Sequence, residues 1–267
     1  MNAGVDYGLT GKVALVTGGS RGLGRAIAAA LLRAGCRVAI VSRNAESLEA
    51  GRRALAPLGD VVVVQADVTV RRQVDEAVRA VECRAGPVDI LVNNAGVTSR
   101  RSLAELTDDH WDEVMTTNVK ALLFTCQAVT PWMMRKRWGR IINASSYAAW
   151  HPRLNRGVYA ASKAAVEALT RAWAGELAPY GITVNAYAPG DIATDMMADM
   201  LAAGAGELTR HIALGRIGTP EDVADAVAFL ASERAAYITG TVMAISGGKY
   251  IVQNPWDAWP QAPGAGP

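Results

Sequence analysis

Short apolar runs rich in β-branched residues recur along the chain, separated by longer stretches in which apolar residues repeat every three or four positions. The runs are KVALVT at 12–17, RVAIVS at 37–42, VVVVQA at 61–66, VDILVN at 88–93, RIINAS at 140–145, ITVNAY at 182–187 and TVMAIS at 241–246. Their near-continuous hydrophobicity predicts strands covered on both faces, because a strand with one wet face alternates apolar and polar residues. The intervening stretches are long enough for the helical crossovers that parallel strands require. The pattern therefore predicts an α/β fold, a doubly wound, seven-stranded parallel sheet with helices on both faces.

No linker-like stretch divides residues 1–250, which are read as a single domain, whereas residues 251–267, rich in proline and tryptophan, predict an irregular tail. Tryptophans in such a tail are expected to pack on a neighbouring subunit. The segment at 189–216 is too long for a turn and predicts small helices. It follows the sixth strand, and open α/β sheets bind ligands outside the carboxyl ends of their strands, so it is a candidate substrate lid.

Composition narrows the classes of function. Half of the 267 residues are hydrophobic (51%) and 19% are charged, enough for a large core and unlike a disordered chain. The 27 basic and 25 acidic residues leave +2 with no long basic block, so nucleic acid is not indicated. The excess of arginine over lysine and the abundance of alanine suit a GC-rich bacterial genome. No apolar run reaches the ~18 residues of a membrane span, and the N-terminus lacks a leader pattern, so a cytoplasmic protein is expected. Cys36, Cys83 and Cys126 are too scattered for a disulfide framework or a zinc site, and His110, His151 and His211 show no ligand spacing, so no metal is expected.

Two short stretches carry the chemistry. After the first strand comes TGGSRGLG, in which Gly18, Gly22 and Gly24 let the backbone turn tightly before a helix whose N-terminus suits a pyrophosphate. The second strand ends in Ser42, Arg43 and Asn44 rather than an acid, and Arg21 lies in the glycine loop. Two arginines suit a 2′-phosphate that an acidic residue would repel, which favours NADP(H) over NAD(H). The other stretch is YAASK, where Tyr159 and Lys163 fall one helical turn apart on one face. A phenol titrates near ~10, and a neighbouring cation is expected to lower that value and make it a usable proton donor.

From about Leu9 to Gly248 the chain resembles the short-chain dehydrogenase/reductase family, because TGGSRGLG, NNAG at 93–96, YAASK, PG at 189–190 and TPEDVADAVAFLAS from Thr219 occur in the family's order and spacing. The resemblance implies a Rossmann-type nicotinamide-dependent oxidoreductase whose catalytic group is Asn118, Ser146, Tyr159 and Lys163. Of the pair Ser145 and Ser146, the family's spacing selects Ser146, leaving Ser145 a structural role. Asn118, on the long helix before strand five, would support a water and proton relay to Lys163, whose ammonium would also bind the nicotinamide ribose. For the cofactor the resemblance adds Ser20 and Leu23 in the glycine loop. Asp67 would meet the adenine with Val68 packed nearby, and Asn94, Ala95 and Gly96 would join strand four to the cofactor. Asn93 is as well suited to stabilising the sheet. Pro189, Gly190, Ile192 as a backbone contact and Thr194 would border the nicotinamide.

The substrate is expected to meet Ser146, Tyr147, Trp150, His151 and Arg153, in the loop before Tyr159, where Arg153 and Arg156 are candidates for attracting an anion. The nearest general pattern is that of 3-oxoacyl-acyl-carrier-protein reductases, with Arg135, Lys136 and Arg137 as a possible carrier-docking patch. Tyr180 stands where a further arginine would be expected, and Ser246 where an acid usually precedes the paired glycines. These departures place NADPH-dependent reduction of a specialised biosynthetic ketone first. A carrier-bound 3-oxoacyl substrate is the alternative, followed by a sugar or polyol. An NADP(H)-binding regulator is the reading without turnover. The family's assembly implies a homotetramer or homodimer.

Overall fold

The computed structural model of the chain describes residues 6–194, 197 and 209–257. Each apolar run forms a strand: β1 (Val13–Thr17), β2 (Arg37–Ser42), β3 (Val61–Gln65), β4 (Ile90–Asn93), β5 (Gly139–Ala144), β6 (Ile182–Pro189) and β7 (Val242–Ile245). All pair in parallel, in the order β3-β2-β1-β4-β5-β6-β7. Between them run α1 (Gly22–Arg33), α2 (Ala45–Leu55), α3 (Arg71–Ala85), α4 (Asp108–Met115), α5 (Ala121–Lys136), α6 (Gly157–Leu177) and α7 (Pro220–Ala231).

The strands bury both faces because successive side chains point to opposite sides. Ala14, Val16 and Ile40 pack with Ile27 and Leu31 of α1 and Val223 and Val227 of α7. Leu15, Ala39, Leu91 and Ile141 face Val74 and Val78 of α3 and Phe124 and Val129 of α5. The strand order reverses between β1 and β4, which opens a crevice at their carboxyl ends.

One expectation needs correction. The helix before β5 is not continuous, because a π-helical turn at Thr116–Lys120 separates α4 from α5. Such a turn inserts a residue into the helical ladder, a feature common at functional sites, and it contains Asn118. Residues 195, 196 and 198–208 of the expected lid lie outside the described residues; on either side of them, Ile192 pairs with Gly218 and the Leu214 amide donates to the Gly247 carbonyl at 3.0 Å. In the tail, Trp256 packs on residues of its own chain: the Arg210 guanidinium lies 5.5 Å from its ring centre and His211 meets it edge-on at 6.0 Å. A cation over an indole face is worth roughly 0.5–1 kcal/mol at an exposed site. Trp259 lies outside the described residues.

Candidate active site

A cavity of about 970 Å³ runs along the carboxyl edge of the sheet. One end is walled by Gly18, Ser20, Arg21, Gly22, Leu23 and Gly24, by Ser42 and Arg43 after β2, and by Asp67 and Val68 after β3. Glycine is required at position 24, where a Cβ would stand 2.2 Å from the Gly18 carbonyl oxygen. Gly22 has φ +51°, a left-handed conformation that costs other residues energy. Arg21, at the N-cap of α1, makes no side-chain cap, so the first-turn N–H groups remain available to an anion. These features fit a dinucleotide pyrophosphate. Arg43 reaches Asp67 only at 3.8 Å with its side chain 63% exposed, a weak pair that leaves the guanidinium free to turn towards a phosphate. The Asp67 carboxylate also accepts from the Thr69 amide (2.9 Å) and hydroxyl (2.7 Å).

Two cofactor assignments change. Asn44 does not line the cavity: its side chain accepts the Ser47 amide at 2.7 Å and caps α2. Asn94 lines the wall, but its amide donates to the Thr17 and Gly18 carbonyls (3.0 and 3.3 Å) and its oxygen accepts from the Tyr187 hydroxyl (3.0 Å). Its side chain therefore braces the glycine loop, while Ala95 and Gly96 line the cavity beside it. Asn93 is buried against Asn143 (3.0 Å) and Thr125 (2.6 Å), the structural alternative. Pro189, Gly190, Ile192 and Thr194 line the opposite wall.

Ser146, at the end of β5, and Tyr159 and Lys163, on the first two turns of α6, meet in the middle of this cavity. The Ser146 hydroxyl accepts the Ala148 amide at 3.1 Å and favours the ionised phenol, while Ser145 is buried and donates to Glu167 at 2.8 Å. Lys163 is anchored beside the phenol. Its ammonium donates to the Ala144 carbonyl at 2.8 Å and lies 5.7 Å from the centre of the Tyr159 ring. Burial pushes the phenol above its ordinary value, opposed by the Ser146 hydroxyl and by the charge of Arg156. Asn118 lies behind the wall: its oxygen accepts the Val97 amide (2.8 Å), and its amide donates to the Val97 carbonyl (2.9 Å) and Ser162 hydroxyl (3.0 Å).

Burial also lowers the proton affinity of Lys163 from 10.5 to about 8. Between those values the unfolded chain holds more protons at this position than the folded one, so the Lys163 contribution to stability rises with pH. Thermal melts of wild type and Lys163→Met, at one pH below and one above 8, are expected to show the wild type gaining on the variant at the higher pH. A difference independent of pH would remove the buried-ammonium description.

Sequence reasoning missed a third group. Asp191 is buried (7% exposed) and accepts from Arg153 at 2.8 Å and from the ammonium of Lys249, itself 4% exposed. The signal was present, since β6 and β7 are neighbours paired at Pro189 and Ile245, so PGD after one and GGK after the other end on the same edge. Tyr147 lines the cavity with His151 stacked on it at 4.8 Å and Trp150 edge-on at 5.6 Å. The Tyr147 hydroxyl, which the sequence assigns to substrate, donates to the Lys249 carbonyl, and the Trp150 indole donates to Glu167 at 3.0 Å. These rings are fixed walls rather than free polar contacts.

Comparisons with known proteins agree with this geometry. A family model described as enoyl-(acyl carrier protein) reductase matches residues 18–249. The chain is 40% identical over 244 residues to 3-oxoacyl-[acyl-carrier-protein] reductase FabG of Vibrio cholerae, covering 91% of this chain and 99% of that protein. It is 40% identical over 242 residues to the same-named protein of Staphylococcus epidermidis, covering 90% and 99%. Among solved structures, a putative gluconate dehydrogenase from Agrobacterium tumefaciens superposes with a TM-score of 0.90 at 31% identity, covering 93% of this chain and 100% of the other.

Proposed function

The chain belongs to the short-chain dehydrogenase/reductase family, oxidoreductases acting on CH–OH and C=O groups, and we propose that it is an NADPH-dependent reductase of a 3-oxo compound. The observation that carries this reading is the meeting of Ser146, Tyr159 and Lys163 in one cavity with the glycine loop at its far end. When bound, the reduced nicotinamide supplies hydride to the carbonyl carbon. Ser146 holds the carbonyl oxygen, and Tyr159 gives it a proton as charge develops there. Burial, by keeping the phenol protonated, suits Tyr159 to donation. Lys163 lies beyond the phenol, and a space of about 10 Å³ bordered by Lys163 and Asn118 is at the lower limit for one water, which supports a proton path between them.

Sequence features alone rank a specialised ketone ahead of a 3-oxoacyl thioester, and the relatives named for 3-oxoacyl-acyl-carrier-protein reduction reverse that order. Against carrier delivery to this chain's own site, Lys136 bonds Asp89 at the start of β4 and Arg137 donates to the Pro179 carbonyl at 2.8 Å. Both lie at the amino edge of the sheet, opposite Tyr159.

The reading is tested by following NADPH and NADH oxidation with 3-oxoacyl thioesters, 3-oxo acids and esters, cyclic ketones and keto-sugars. Turnover of a 3-oxo compound supports it, whereas cofactor binding without turnover of any carbonyl would move an NADP(H)-binding regulator to the front. The same assay tests the cofactor preference. Arg43→Gln is expected to lower kcat/KM for NADPH by roughly 10- to 100-fold, as loss of a charge-assisted contact worth ~1.5–3 kcal/mol implies, with little change for NADH. Equal losses with both cofactors would show that Arg43 does not read the 2′-phosphate.

A further inference from the structure

We infer that Glu167 is a positioning residue for the reduction: its buried carboxylate sets Ser146 and the Trp150 wall of the cavity relative to Tyr159. This rests on the reductase reading above and adds to it a residue that does not itself line the cavity. Glu167 lies one helical turn beyond Lys163 on α6 and is 4% exposed. One carboxylate oxygen accepts the Ser145 hydroxyl at 2.8 Å and the other accepts the Trp150 indole N–H at 3.0 Å. Arg171 reaches the carboxylate only at 3.8 Å from an exposed position, a weak pair. Burial of the charge is thus offset mainly by the two hydrogen bonds.

Both donors line the cavity, and they bracket the reacting serine. Ser145 immediately precedes Ser146, and its amide donates to the Tyr187 carbonyl at 2.8 Å. The Ala144 carbonyl before it takes the Lys163 ammonium. With planar peptides on either side, a fixed Ser145 leaves Ser146 little freedom to shift. Beyond Ser146 the 3₁₀ turn Tyr147–Ala149 leads directly to Trp150, and the Ser146 hydroxyl accepts the Ala148 amide at its start. One carboxylate, on the helix that carries Tyr159 and Lys163, ties down both ends of the segment 145–150. A side chain needed only to fill this space would be apolar, since leucine avoids the desolvation that a carboxylate suffers. The carboxylate supplies what leucine lacks, two acceptor oxygens for two donors, one of them an indole N–H that can only donate. Such support matters to rate because a misplacement of about 1 Å in a reacting group costs roughly 10²-fold.

The test uses the full chain with NADPH and the 3-oxo compound that the wild type turns over fastest. Ser145→Ala removes one donor, and Trp150→Phe removes the other while keeping a ring in the wall. The first loss is expected mainly in kcat, lowered about tenfold, and the second mainly in KM, raised roughly threefold or more. Glu167→Leu should show both effects. Glu167→Gln should recover part of each, because its amide oxygen still accepts the indole N–H and its NH₂ can donate to the Ser145 hydroxyl. Adding Ser145→Ala to Glu167→Leu should lower kcat no further, since the contact is already broken. Both kcat and KM within twofold of wild type in folded Ser145→Ala and Trp150→Phe would overturn the role and leave the reductase standing. A kcat loss in Ser145→Ala that multiplies in full with that of Glu167→Leu would overturn it as well, by showing that the two residues act independently. If Glu167→Leu does not fold, the two single-donor variants and Glu167→Gln carry the test. No turnover of any carbonyl by the wild type would instead overturn the reductase reading, and this role with it.

Discussion

Tyr159→Phe is expected to lower turnover by about 10²- to 10⁴-fold, the usual range for loss of a positioned general acid, while cofactor affinity stays within about twofold. The ring that packs at the start of α6 is kept, and the removed atom is the hydroxyl of a phenol that lines the same cavity as Ser146. Rates at saturating substrate and NADPH binding by fluorescence separate the two effects. Near-wild-type turnover would take Tyr159 out of the proton-transfer role. Because burial raises the phenol's value, the acid stays protonated through neutral pH, and the reduction rate is expected to fall only on the alkaline side as the phenol ionises. A variant lacking the Arg156 charge should move that fall to higher pH, since this cation favours the phenolate.

Asp191→Asn is expected to destabilise the fold by about 3–5 kcal/mol, the cost of removing one partner from a buried ion pair. Lys249 is 6% exposed at its side chain and would be left charged against the Arg153 guanidinium. For a domain of this size the loss corresponds to a Tm lowered by roughly 10 °C. The sign of its pH dependence follows from Lys249. Burial already lowers its proton affinity and Asp191 raises it, so without the carboxylate the ammonium sheds its proton at lower pH. The deficit is therefore largest at neutral pH and shrinks as pH rises. Asp191→Asn combined with Lys249→Met should recover part of the loss, because an apolar replacement leaves no buried charge. A Tm unchanged in the single variant would mean that Asp191 is solvated rather than buried in the pair.

The two experiments probe features of different legibility. Tyr159 and Lys163 stand out as an i, i+4 pair at the start of an apolar helical repeat, but the direction in which the phenol's proton affinity moves does not. That depends on how deeply the ring is buried in the folded chain, which raises it, and on the charge of Arg156, which opposes the rise. Asn118 is legible as a residue, whereas the π-helical turn that carries it is not, because its flanking residues read as ordinary helix. Asn94 belongs to a recognisable NNAG, yet only the packing reveals that its amide is consumed by the Thr17 and Gly18 carbonyls.

What the sequence determined by itself is local and periodic. Continuous apolar runs place seven buried strands, the spacing between them demands parallel crossovers, and glycines after β1 mark a turn that tolerates no Cβ at Gly24. These follow from backbone sterics and from removing apolar surface from water, which act within a run of neighbouring residues. Only the tertiary structure decided the union of Arg153, Asp191 and Lys249, drawn from three separate segments, and the rise of Tyr159 and fall of Lys163 in proton affinity. Electrostatic energies depend on distance and burial in space, and neither is encoded in the order of the residues along the chain.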